Sequence, residues 1–229
     1  MTDYILHLAD NALILGHRNS EWTGHGPILE QDIALSNISL DLIGQARHFY
    51  QYAAELLGDG STEDKLAYFR GPEAFKNCML VEQPKGHWGT TVLRQFLFSA
   101  YQYPLYQQLA SRDDEKLAAI AQKSLKEVTY HLRWSSEWVI RLGQGTETSN
   151  DKMKDAVKEL WPYTQDLLTR TDGDLQFNWQ DKVQNIFSKA SLALPADVTM
   201  ITGENHRQHL VEILSEMQHL QRTYPNVEW

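Results

Sequence analysis

The chain has 229 residues with 42% hydrophobic and 22% charged side chains, which is enough for a sizeable core in one large domain or two small ones. The formal net charge of −9 and the lack of any basic run exclude non-specific attraction to nucleic acid or anionic membranes. A single cysteine, Cys78, excludes an intramolecular disulfide and a zinc–thiolate cluster, and fits a reducing compartment.

The N-terminal stretch MTDYILHLADNALILGH has no basic n-region and carries Asp3, His7 and Asp10. It reads as neither a signal peptide nor a span, and no apolar run approaches the roughly 18 residues a span requires. A cytoplasmic protein is expected. The hydrophobic period is helical almost throughout. A first helix is predicted over about 3–20, with Leu6, Asp10, Leu13 and Ile14 on one face, and a second over 28–57, with Leu35, Ile38, Leu42, Phe49, Ala53 and Leu56. GDGS ends the second. Residues 59–87, rich in glycine and proline, leave room for two short helices, EDKLAYF and PEAFKNCML. A third long helix over 88–111 should kink at Pro104. A fourth over 114–142 carries the stripe Leu117, Ile120, Ser124, Glu127, His131, Trp134 and Trp138. Further helices are predicted over 150–170, 178–192 and 203–223.

No low-complexity linker divides the chain, so residues 1–229 are expected to form one all-α domain. EWTGHG and SRDDE should close two antiparallel hairpins, and helices apolar over more than one face need neighbours on several sides. The expected architecture is a four-helix bundle core with additional helices.

In carboxylate bundles that hold two irons, each hairpin supplies a Glu from one helix and a Glu-x-x-His from the next. Four carboxylates and two imidazoles nearly neutralise the metals and leave positions open for oxygen. Here Asp10 precedes Asp41 by 31 residues and Gln95 precedes Glu127 by 32, each with a turn near the midpoint. Each pair is therefore expected to lie level across its hairpin. The contents of this frame do not suit iron. Asp41-x-x-Gly44 has glycine in the imidazole position, Gln95 is a weak neutral ligand, and Glu127-x-x-Tyr130 offers a phenol that must first lose a proton. The frame reads as a vacated metal site, with Asp10, Asp41, Gly44, Gln95, Glu127 and Tyr130 as vestigial positions and no catalytic residue. The alternative for each is structural: Gly44 permitting close helix packing, Gln95 and Tyr130 as core polar groups. Buried carboxylates without metal need partners; Tyr130, Gln95, His7 or His131 are the expected ones. A competing enzyme reading builds an atypical metal centre from Asp10, Asp41, Glu127 and His131. A self-assembling iron store is disfavoured by the missing ligands.

Glu216-x-x-His219, with His206, His209 and Glu212 upstream, is the one Glu-x-x-His in the chain. One such pair arises by chance at this composition, and a di-iron bundle needs two, so a solvated or partner-facing stripe is expected. Cys78 beside Met79 and Leu80 reads as a small buried hydrophobe. Trp134, Trp138 and Trp161 read as core, and Trp22, Trp88 and Trp229 as candidate partner anchors. Arg18, Arg47, Arg133 and Arg141 would reach the phosphates of a bound ligand only if they converged; surface pairing with acidic neighbours is the plainer expectation.

The stretches LADNALIL, NISLDLIGQARHF, YAAELLGDG, MLVEQPKGHWGTT, KEVTYHLRWS, RLGQGT and EMQHLQRTYP span the chain. Together they resemble the structural C subunits of the bacterial ring-1,2-phenylacetyl-CoA epoxidase, a phenylacetyl-CoA oxygenase of the ferritin-like family. The resemblance implies a ferritin-like fold and a non-catalytic subunit packed against a paralogous A subunit that holds the di-iron centre and the substrate. It also implies a small B subunit, and a reductase that carries FAD and an iron–sulfur cluster and draws on NADPH. The complex would epoxidise the ring of phenylacetyl-CoA with O₂ during aerobic phenylacetate catabolism. No catalytic residue or cofactor is thereby implied for this chain. A homodimer in the absence of partners is compatible with this reading.

Overall fold

A computed structural model describes residues 1–201, 208–225 and 227. Among them are eleven α-helices and no strand: α1 (Thr2–Ser20), α2 (Leu29–Leu57), α3 (Glu63–Tyr68), α4 (Met79–Glu82), α5 (Trp88–Leu109), α6 (Glu115–Gln144), α7 (Glu147–Leu160), α8 (Thr164–Leu168), α9 (Gly173–Lys189), α10 (Gln208–Met217) and α11 (His219–Thr223). The chain divides into two compact units, Met1–Pro84 with Glu204–Trp229, and Lys85–Gly203. None of the described helices is long and apolar enough to cross a membrane.

In the first unit α1 and α2 form the expected antiparallel hairpin, burying Ile5, Leu8, Leu13 and Ile14 against Leu35, Ile38, Leu42 and Phe49. The helices approach closely at Gly16, where a Cβ would lie 3.0 Å from Ile43 Cγ1 and 3.2 Å from the Ser39 carbonyl oxygen. Gly58 ends α2 in the left-handed region, at φ 63°, and its N–H closes on Ala54 O at 3.1 Å. Of the two short helices expected after it, the first is α3, capped by Thr62, whose side chain accepts from Lys65 N. PEAFKNCML does not form the second. It makes a 3₁₀ turn at Pro72–Ala74 and an extended passage before α4, because side chains of α1 take up the backbone of Lys76 and Cys78.

In the second unit α5 runs through Pro104, with α6, α7 and α9 packed along it. Asp114, Thr146 and Asp172 cap α6, α7 and α9 by accepting the N3 backbone N–H, and Thr146 with Ser149 completes a capping box. The helix expected over 150–170 is interrupted by a 3₁₀ turn at Trp161–Tyr163, where Pro162 has no N–H to continue the ladder. Trp161 lies 5.9 Å from both Trp179 and Phe187 between ring centroids, and Trp179 Nε1 donates to Leu97 O at 2.9 Å. The last expected helix is broken at Gln218 into α10 and α11, and its start falls outside the described residues.

Candidate functional site

Asp10 lies wholly buried in α1 and accepts four hydrogen bonds, two on each carboxylate oxygen. Tyr50 Oη donates to Oδ1 at 2.6 Å and the Lys76 N–H to Oδ2 at 2.7 Å. The Arg70 guanidinium donates to both, with its Nη1 3.3 Å from Oδ2. These partners differ from the expected Tyr130, Gln95, His7 or His131. Burial pushes the Asp10 carboxyl above its ordinary pKa, and the Arg70 charge and the donors act against that push. Burial, then the neighbouring carboxylate, holds the Tyr50 phenol well above 10, so it keeps its proton and donates.

Two neighbours on α1 serve the same segment. His7 Nδ1 meets the Lys76 carbonyl oxygen at 2.6 Å, which makes it the protonated ring nitrogen, and its Nε2 accepts from Asn11 at 3.1 Å. Asn11 Oδ1 accepts from the Cys78 N–H at 2.8 Å. His7, Asp10 and Asn11 thus pin residues 76–78 from one face of α1, and Cys78 is buried as expected. Arg70 is fixed in turn: its guanidinium stacks 4.3 Å from the Phe75 ring centroid and donates to Ala74 O at 2.9 Å.

The remaining positions of the frame fall differently. Thr23 Oγ1 and Ser36 Oγ are 3.1 Å apart and Gly16 is level with residues 39–43, so on this antiparallel pair Asp10 is level with the stretch just before Tyr50. Asp41 therefore lies about six residues, or ~9 Å, along the axis from the level of Asp10. The expected level pairing fails because residues 21–25 prolong the α1 column as turns, through Trp22 N to Asn19 O, Thr23 N to Ser20 O and His25 N to Trp22 O, and displace the reversal toward residue 29. Asp41 is half-buried, and a Cβ on Gly44 would meet nothing within 4 Å among the described residues, so close packing among them is not the reason for that glycine.

In the second hairpin the expected level holds. Trp88 meets Trp134 and Trp138 edge-on at 6.1 and 6.3 Å, which sets Gln95 level with residues 127–131. Those contacts also hold the part-exposed Trp88 within the packing of its own unit. Gln95 is buried and donates to Ser99 Oγ at 2.9 Å. His131 is buried, Glu127 half-buried, and Tyr130 37% exposed with the Arg133 guanidinium 5.8 Å from its ring centroid.

Both Asp10 oxygens are engaged by N–H and O–H donors, and among the described residues no three of His, Cys, Asp and Glu are grouped to hold a metal ion. Glu216 and His219 are both exposed, while Gln218 between them is buried and donates to Ala67 O and Arg70 O, each at 3.1 Å. Arg222 adds a bond to Arg70 O at 2.9 Å. EMQHLQR thus clasps the carbonyls at the end of α3 through Gln218 and Arg222. His206 and Trp229 lie outside the described residues. Arg18 is spent on Glu21, Glu82 O and His209 O, Arg47 on Glu63, and Arg141 on Glu137. Sequence reasoning missed Arg70, Tyr50 and Gln218; a charge pair 60 residues apart leaves no spacing signature, whereas His7, Asp10 and Asn11 on one helical face were a readable one.

Comparison with known proteins places the chain. Residues 1–229 match the family model described as phenylacetic acid catabolic protein. The C subunit of 1,2-phenylacetyl-CoA epoxidase from Escherichia coli K12 is 42% identical over 246 aligned positions, which cover 100% of this chain and 99% of that relative. This all-helical chain, with its buried Asp10–Arg70 pair, belongs to the phenylacetic acid catabolic protein family.

Proposed function

We propose that the chain is a non-catalytic structural subunit of a phenylacetyl-CoA epoxidase acting in aerobic phenylacetate catabolism. The observation that carries the reading is the 42% identity to an epoxidase C subunit along 100% of this chain and 99% of that relative. Residues 1–229 would act as one ferritin-like domain with a four-helix core, packing against a paralogous A subunit that holds the di-iron centre. A small B subunit and a reductase with FAD, iron–sulfur and NADPH would complete the cytoplasmic complex. The Asp10–Arg70 pair supports a scaffold: a guanidinium supplies the positive charge that a metal would otherwise supply to this carboxylate. On this reading Asp10, Asp41, Gly44, Gln95, Glu127 and Tyr130 are vestiges of a metal site in an ancestral bundle.

The test is reconstitution. The A and B subunits and the reductase are assayed for epoxidation of phenylacetyl-CoA with and without this chain, and iron, manganese and zinc are measured per polypeptide on the untagged chain. Turnover should depend on the chain, and metal should be far below stoichiometric. Full turnover without it overturns the scaffold role. Stoichiometric metal lost in D41A and E127A would make the chain an enzyme in its own right.

A further inference from the structure

The first turn of α5 is capped by an imidazole. His87 Nδ1 accepts from the Thr90 backbone N–H at 3.2 Å, the role that Thr62, Asp114, Thr146 and Asp172 play at the starts of α3, α6, α7 and α9. Hydroxyl and carboxylate caps remain acceptors in neutral and mildly acid solution. An imidazole accepts only while it is neutral, because both ring nitrogens donate once it is protonated. Two glycines shape the turn around this ring. Gly86, at φ 62°, leads the chain into the helix. A Cβ on Gly89 would lie 3.0 Å from His87 Cε1 and 3.1 Å from its Nδ1, so the ring lies over the first turn where a larger residue would crowd it.

The neighbouring element is α7. Its Glu159 accepts from Thr90 Oγ1 at 3.4 Å, and among the described residues Glu159, Lys152 and Asp155, all on α7, are the charged groups that act on the ring. Burial holds the imidazole below its ordinary pKa of 6.5, while Glu159 acts upward, Lys152 downward and Asp155 upward. A charged ring is thus opposed at the cap by burial and by the positive end of α5, and is drawn toward the two carboxylates of α7. Trp88, the first residue of α5, stands edge-on to Trp134 and Trp138 of α6 at 6.1 and 6.3 Å. The turn that His87 holds therefore also sets where α5 begins its contact with α6.

We propose that His87 is a pH-operated cap: neutral, it closes the first turn of α5 and fixes Trp88 against α6; protonated, it releases the Thr90 N–H and the turn opens. The folded pKa lies below the unfolded one, so the cap is complete above pH 6.5 and is lost as the pH falls below that value. The test uses the full chain in an H17Q background, which removes the buried His17. Ring nitrogen NMR at pH 7.5 should show His87 as the tautomer protonated on Nε2; a proton on Nδ1 at that pH overturns the proposal. Hydrogen exchange of residues 86–92 by mass spectrometry, corrected for intrinsic rates, is then compared at pH 7.5 and 4.5. Protection should fall about fivefold on acidification in the chain that keeps His87, the effect of losing one cap. It should hold in H87N, which retains an acceptor that does not titrate, and should be low at both pH values in H87A. Unchanged protection with His87 in place, or equal losses with His87 and in H87N, overturns the proposal. Equal acceleration in the middle of α5 marks opening of the whole unit rather than of the turn, and likewise overturns it.

Discussion

Asp10 and Arg70, 60 residues apart in the chain, form an ion pair inside the first unit with the Asp10 side chain wholly buried and that of Arg70 13% exposed. The pair ties α1 to the end of α3, and Tyr50 from α2 donates to the same carboxylate. A charge taken out of water this completely is tolerated only with its partners in place.

Arg70→Met should therefore destabilise the chain by about 3–5 kcal/mol, read from urea unfolding, because Asp10 would keep only Tyr50 and one backbone N–H. The double variant D10L/R70M should lose much less than R70M alone, since neither charge is then stranded. Equal losses in the two proteins would show that the ion pair is not what holds this region.

His17 gives stability a pH dependence. Its Nε2 is buried with no hydrogen-bond partner among the described residues, and burial lowers its pKa from 6.5 to about 4. The folded pKa lies below the unfolded one, so the unfolded chain binds the extra proton between those values. Stability should be intact above pH 6.5 and should fall as pH drops from 6.5 to about 4, by up to about 3 kcal/mol from this group. His17→Gln should flatten that part of the stability–pH curve, measured by chemical denaturation at fixed pH steps.

Gln218 and its neighbours separate a structural polar residue from a decoy. Gln218→Ala leaves the Ala67 and Arg70 carbonyls short of a donor and should cost about 1–3 kcal/mol. Amide exchange in α10 and α11 should accelerate with it. E216A/H219A alters only exposed side chains and should shift stability by no more than about 0.5 kcal/mol.

Two glycines should respond in opposite directions. A Cβ on Gly143 would lie 2.2 Å from the Ala190 carbonyl oxygen, so Gly143→Ala forces α6 away from the end of α9 and should cost about 1–3 kcal/mol. Gly44→Ala meets open space in the interior of α2 and should raise the stability of the isolated chain by up to ~1 kcal/mol. Thermal melts of the two variants decide both.

The helices and most of their ends follow from local sequence. Apolar residues at three- and four-residue steps set α1, α2, α5 and α6, and the stop at Gly58 and the cap at Asp114 act on backbone groups within four residues of themselves. That glycine, glutamine and tyrosine stand at three positions of the proposed carboxylate frame was equally legible, because it is a matter of residue type. The partners of Asp10 and the level of Asp41 were decided by packing. The turns through residues 21–25 shifted α1 against α2 and took Asp41 away from Asp10; Arg70 and Tyr50, from 60 and 40 residues away, took the place of the expected partners. Gln218 came to serve carbonyls about 150 residues back along the chain. Local rules reach one helical turn, whereas register and buried pairing are set by how whole faces pack, and residue spacing does not encode that.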